Sequence, residues 1–135
     1  MYEVIEIIEY AMTRDVMLKN LVTGKVEKCF DDSALISDYN NFEFMQVGSC
    51  YKCKILLFGN NCIDGGLGES MFCEITKQEV IIGNYCFAEV KVGNDYYYLP
   101  RKEVEQYLDK GSFMYSVSRK DLIQVDNIVH PYRVG

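Results

Sequence analysis

The chain has no tryptophan, only two prolines and a single histidine, His130, among its 135 residues. No apolar run approaches the roughly 20 residues that a membrane-spanning helix needs. The first ten residues, MYEVIEIIEY, carry three glutamates and neither lysine nor arginine, the reverse of the basic start of a secretory signal. No N-x-S/T glycosylation acceptor occurs. These absences point to an intracellular protein with no membrane association, and a bacterial cytoplasm is the expected setting.

The scarcity of histidine narrows the chemistry as well. A serine–histidine–acid triad would have to be built around His130, in the C-terminal VHPYRVG, and nothing in the sequence supplies its nucleophile or orienting acid. A satisfied or exposed histidine is the expectation. Asp31, Asp32, Asp38 and Glu43 lack the spacing of an EF-hand. Gly65-Gly66-Leu67-Gly68 leads into neither G-K-S/T nor a helix, so it is a loop rather than a phosphate cradle. The chain is expected not to be an enzyme and to need no cofactor.

Six cysteines are present: Cys29, Cys50, Cys53, Cys62, Cys73 and Cys86. Cys50-Tyr51-Lys52-Cys53 is a C-x-x-C, but a zinc knuckle usually brings a second pair or histidines. A redox dithiol sits at a helix N-terminus after a strand, whereas this pair runs into a strand at Lys52–Phe58. Residues i and i+3 of a strand point to opposite faces, with Cα atoms about 10 Å apart. That is too far for a disulfide, which wants less than about 7 Å. Two strand cysteines are expected, all six thiols reduced, and no metal bound.

What the chain does have is an ordinary globular composition, 49% apolar and 25% charged, enough for one β-rich domain over residues 1–135. Tyr2–Tyr10 reads as a strand, although so short a run also fits a helix. Asp15–Leu21, Thr23-Gly24 and Lys25–Phe30 read as a hairpin. Asp31-Asp32-Ser33 offers cap oxygens for a helical turn over Ala34–Tyr39, broken by Asn40-Asn41. A long strand is expected over 50–58 and a glycine-rich loop over Gly59–Ser70. Strands follow at Met71–Ile82, Tyr85–Val92 and Tyr96–Leu99. Pro100 and Gly111 punctuate a helix over 101–109 that buries Val104 and Leu108. Phe113–Val117 and Leu122–Val129 close the fold. The sum is a mainly β protein, expected to be a barrel because closure removes exposed edges.

The order of hairpin, helical turn, Gly48-led strand, hairpin and late helix resembles an oligonucleotide/oligosaccharide-binding (OB-type) or related small barrel. VGSCYKCKILLFGN is similar to the glycine-led long strand of such barrels. The resemblance covers about half the chain and implies a binding module without naming a ligand.

Charge narrows the partner. The chain holds 20 acids and 14 bases, and residues 1–80 alone hold 13 acids and 7 bases. An acidic half repels phosphate backbones and attracts basic proteins. Segment 27–43, EKCFDDSALISDYNNFE, sets Glu27, Asp31, Asp32, Asp38 and Glu43 against Lys28 alone, with Tyr39 and Phe42 as candidate anchors. The expected function is stoichiometric binding and neutralisation of a basic protein through Asp31, Asp32, Asp38, Tyr39, Phe42 and Glu43, as immunity proteins do for nuclease toxins. The alternative is an OB-type single-stranded nucleic-acid binder, stacking bases on Tyr96 and Tyr98 beside Arg101 and Lys102.

Overall fold

The computed structural model describes residues 1–61 and 69–134. Strands β1 (Tyr2–Glu9), β2 (Arg14–Asn20) and β3 (Val26–Asp31) form an antiparallel meander. The helical turn α1 (Ser33–Ile36) follows, then a short strand β4 (Cys50–Tyr51) against the start of β1. After a break at Lys52 come β5 (Cys53–Asn61), β6 (Glu69–Ile82), β7 (Tyr85–Val92) and β8 (Asp95–Pro100). Helix α2 (Arg101–Val104), strands β9 (Ser112–Val125) and β10 (Ile128–Val129), and the turn α3 (Pro131–Val134) complete the described chain.

Five strands close on themselves in the order β9-β5-β8-β7-β6-β9. β6, β7 and β8 are successive hairpin partners, α2 crosses over to β9, and β9 returns antiparallel to β6. β5 fills the remaining gap, antiparallel to β9 and parallel to β8. The meander joins this barrel through one backbone bridge, Phe30 to Asp121, between β3 and β9. The chain is thus mostly β with a closed five-stranded barrel, as its alternating apolar pattern predicts.

Strand alternation sorts the side chains into two cores. Val16 and Leu18 of β2, Ile55 and Leu57 of β5, Tyr97 and Leu99 of β8 and Leu122 of β9 all lie in the main one, which fills the barrel and extends under the meander. Their neighbours Leu56, Tyr98 and Ile123 point the other way. They join Phe87 and Ile82 in a second cluster, against which Val80 and Val129 pack. Where β5 crosses β9, Gly59 has no room for a side chain, because an added Cβ would collide with the Ser116 carbonyl. The register between the two strands shifts at that point.

Several expected boundaries move. The strand over 50–58 is split at Lys52, whose N–H donates to Asp126 Oδ1 at 2.9 Å, and it then runs on to Asn61. The two closing strands join into one 14-residue strand, β9, because it serves β6 with its first half and β5 with its second, and the second stops short at Val125, where a turn at Asp126, with φ 51°, folds β10 back onto it. The longest strands are therefore β6 and β9, not the Gly48-led one. The expected helix 101–109 is a four-residue helix continued by a 3-10 turn, Glu105–Tyr107. It ends at Gly111, whose positive φ of 76° suits a residue without Cβ. Val104 is buried and Leu108 half-buried against the main core. Of the glycine-rich loop, residues 62–68 lie outside the described residues.

Candidate functional site: an acidic groove beside the meander

The end of the meander carries a buried polar lock. The Arg14 guanidinium, on β2, donates from Nε to Asp31 Oδ2 at 2.8 Å and from Nη2 to the Phe42 carbonyl. Asp31 Oδ1 accepts the Ser33 N–H at 2.9 Å and the Ser33 hydroxyl at 2.6 Å, and Ser33 Oγ accepts the Phe42 N–H at 2.9 Å. One arginine and one aspartate thus tie segment 32–42 to the ends of β2 and β3. A charge removed from water stays favourable only when fully paired in this way.

Over this lock lies a groove of about 410 Å³ between the β1–β2 turn and α1. Tyr10 and Met12 of the turn and Leu35 of α1 line it with their side chains at least half exposed. Glu9 and Glu43 stand on its rim, and Arg14, its one basic residue, is taken up by Asp31 at 2.8 Å, with Glu9 Oε1 3.8 Å from its Nη1. Tyr10 is held by its hydroxyl, which donates to Asp15 Oδ2 at 2.9 Å. Beyond Leu35, the Ser37 hydroxyl accepts the N–H groups of Tyr39 and Asn40, each at 3.1 Å. Tyr39 is left 93% exposed, with exposed Asp38 before it.

The expected partner-binding residues therefore divide. Asp38, Tyr39 and Glu43 are exposed. Asp31 is buried in the lock. Phe42 is wholly buried and packs edge-on to the His130 ring, so it is a core residue here and not an exposed anchor. Asp32 is occupied by His130, Nε2 to Oδ1 at 2.6 Å. The groove residues Glu9, Tyr10, Met12 and Leu35 escaped the sequence reading. Their signal was Tyr10-Ala11-Met12, large apolar residues in a turn where polar ones are usual.

His130 is buried and has the orienting acid that the sequence did not reveal, Asp32. Its other nitrogen, Nδ1, accepts the Tyr132 N–H at 3.2 Å. Through these two bonds His130 holds the C-terminal turn to segment 32–42. Beside it, the Arg119 guanidinium lies 4.6 Å from the Phe30 ring centroid and 4.8 Å from that of Phe58, and it is paired with Asp121.

The alternative site is partly occupied by its own side chains. Tyr96 is exposed, with Lys91 Nζ 5.9 Å from its ring centroid, and Lys102 is exposed. Tyr98 is buried and donates to Glu89 Oε2 at 2.9 Å. Arg101 lies 3.4 Å from Glu105 and 3.9 Å from Glu79. Among the described cysteines, Cys50 is exposed and Cys53 half-buried. Burial pushes the thiols of Cys53 and Cys73 up to about 12, and that of Cys29 well above its ordinary value. No group of three or more metal-ligating side chains converges among the described residues, and no helix there is long and apolar enough to cross a membrane.

Compared with protein-family models, curated proteins and solved structures, the chain gives no match. The functional reading rests on the groove itself.

Proposed function

We propose that this protein is a non-catalytic docking domain that binds a basic protein through the groove between the β1–β2 turn and α1. The observation that carries this reading is the composition of that surface. Tyr10, Met12 and Leu35 spend apolar area on solvent around a groove rimmed by Glu9 and Glu43, with Asp38 and Tyr39 projecting beside it. Aromatic and methionine side chains inside a polar rim are the usual make-up of a protein interface. Acidic groups on the rim select a basic partner and speed its encounter. A stoichiometric inhibitor of a basic enzyme or toxin would use such a surface.

A photo-crosslinking residue at Tyr39 tests the reading against one at Ile81, which is exposed on the β6–β7 hairpin outside the groove. Capture of basic proteins from Tyr39 alone, fading as salt rises, is the expected result. Equal capture from both positions, or capture of acidic proteins only, contradicts it.

The nucleic-acid alternative draws its support from connectivity. Read from β6, the barrel follows the strand order of an OB barrel, with the strand that such a chain places last, β5, coming first. On this reading Tyr96 and Lys102, with Lys91, would contact bases and phosphates, since Tyr98 and Arg101 are engaged internally. Titration with a single-stranded oligonucleotide separates the two: the docking reading expects no binding in the micromolar range.

A further inference from the structure

The groove has a neighbour that suggests how its partner binds. β1 is paired with β2 along its whole length, but on its other side β4 covers only Tyr2 and Glu3, and Val4 exchanges two more backbone bonds with Gly48 and Ser49. From Ile5 to Glu9, β1 has a strand partner on one side alone among the described residues. A bulge at Ile5 marks the change, and Glu6, Ile7, Ile8 and Glu9 then pair in regular register with Met17, Val16, Asp15 and Arg14. The free edge is therefore straight ladder about 13 Å long.

Open edges are normally defended by lysine or other charges, by proline, by a bulge or by a covering element; the β1 edge has a bulge at Ile5, ahead of the free stretch, and only acidic charge along it, from Glu6 and Glu9. This one has no lysine, arginine or proline between Met1 and Tyr10. Ile5 and Ile8 stand 40% and 37% exposed along it. The part of β6 beyond Ile75, which pairs with β7 alone among the described residues, does carry a lysine, Lys77. The β1 edge also leads straight into the groove, since Glu9 belongs to both.

We propose that the basic partner adds an extended segment to the β1 edge at Ile5–Glu9, continuing from the groove. This rests on the docking reading and specifies its geometry. Main-chain hydrogen bonds from alternate peptide groups would supply the pairing. Lysines or arginines at alternate positions of the added segment would share the outer face with Glu6 and lay their aliphatic stems along Ile8, while the apolar residues between them would lie on the face of Ile7 and Glu9, towards the groove. A second copy of this chain fits poorly, because a β1–β1 pair gathers the glutamates of both edges with no lysine or arginine between Met1 and Tyr10 to offset them, and like charges brought together on neighbouring strands destabilise.

The probe is an end-blocked nonapeptide of alternating lysine and valine, used with two versions N-methylated on one or the other alternate set of residues. All three share charge and side chains. The parent peptide should bind and slow amide exchange at alternate positions between Ile5 and Glu9. One methylated set should weaken binding at least tenfold and the other leave it nearly unchanged, a difference that only strand pairing produces. Equal affinity of all three peptides, or absence of binding at millimolar concentration, overturns the proposal. Protection confined to Tyr10–Thr13 and Leu35 overturns strand addition while leaving the docking groove standing. Concentration-dependent protection of the β1 amides without peptide also overturns it, by making a second copy the occupant. Loss of the Tyr39 crosslink to basic proteins, by contrast, removes the docking reading itself.

Discussion

Lys120 Nζ lies 2.6 Å from Glu27 Oε1, across the seam where the meander meets the barrel. The two strands that carry these residues, β9 and β3, share one backbone bridge. The Tyr97 hydroxyl of β8 also donates to Glu27 Oε1, and Lys120 Nζ sits 5.3 Å from the Tyr97 ring centroid. A buried ionic strut thus stands where ladder hydrogen bonds are missing. It holds in place the meander that carries both the groove and the β1 edge.

Breaking one side of that strut should be costly. Lys120→Met leaves Glu27, whose side chain is wholly buried, with only the more exposed Lys25 as a cation, 3.9 Å away, and should cost about 3 kcal/mol. Urea unfolding measures this directly. The double replacement Glu27→Gln with Lys120→Met should recover much of the loss, because it buries no uncompensated charge. If Lys120→Met alone cost under about 0.5 kcal/mol, the strut would not be holding the seam.

Thiol reactivity should follow burial. The thiolate is the nucleophile, and burial raises the thiols of Cys29, Cys53 and Cys73. Brief iodoacetamide treatment of the native protein at pH 8, read by peptide mass spectrometry, should label exposed Cys50 well before those three. Denaturant should equalise the rates. Native labelling of Cys29 as fast as Cys50 would contradict the packing of β3.

Stability should fall in alkali. Burial raises the phenols of Tyr2, Tyr97 and Tyr98 above their ordinary value of 10.0, with hydrogen bonds to Glu27 and Glu89 adding to the effect at the last two. Cys29 is raised from 9.0 in the same way. In the unfolded chain these groups ionise near pH 9–10, while in the folded chain they keep their protons. The folded state then binds more protons, so unfolding free energy declines as pH rises. The melting temperature should be flat with respect to these groups below about pH 9 and drop progressively above it. Tyr98→Phe should lessen the drop. A melting temperature unchanged up to pH 11 would contradict the burial of these rings.

Much of the fold was legible because strand alternation is a local signal. Tyr96-Tyr97-Tyr98-Leu99 alternates outward and inward as its spacing requires, and the turns at Gly24, Gly83 and Gly93 sit between the expected strands. What alternation cannot reveal is which element covers a strand's outer face. Tyr98 looked like a stacking surface, yet it is buried with Leu56, Ile82, Phe87 and Ile123, residues distant in sequence. Phe42 looked like an anchor for the same reason: its partners Arg14, Ser33 and His130 are brought in by the fold. The acidic character of segment 27–43 was plain. That Asp31 is consumed by Arg14 and Asp32 by His130 depends on contacts 17 and 98 residues apart. The groove needed two segments: 27–43, marked in the sequence by its acidic residues, and the turn Tyr10-Ala11-Met12, marked only by apolar residues where polar ones are usual.

The claim that the groove is the working surface is tested most directly by affinity for the basic protein captured at Tyr39. The triple variant Met12→Ala, Leu35→Ala, Tyr39→Ala removes exposed apolar groups and should change stability little, within about 0.5 kcal/mol per site. Binding of the variant and of the parent chain, measured by calorimetry alongside the double variant Tyr96→Ala, Lys102→Ala, decides the matter. The triple variant should lose at least a hundredfold in affinity and the double variant less than twofold. Unchanged affinity in the triple variant, with loss in the double, would contradict the account and move the interface to β8.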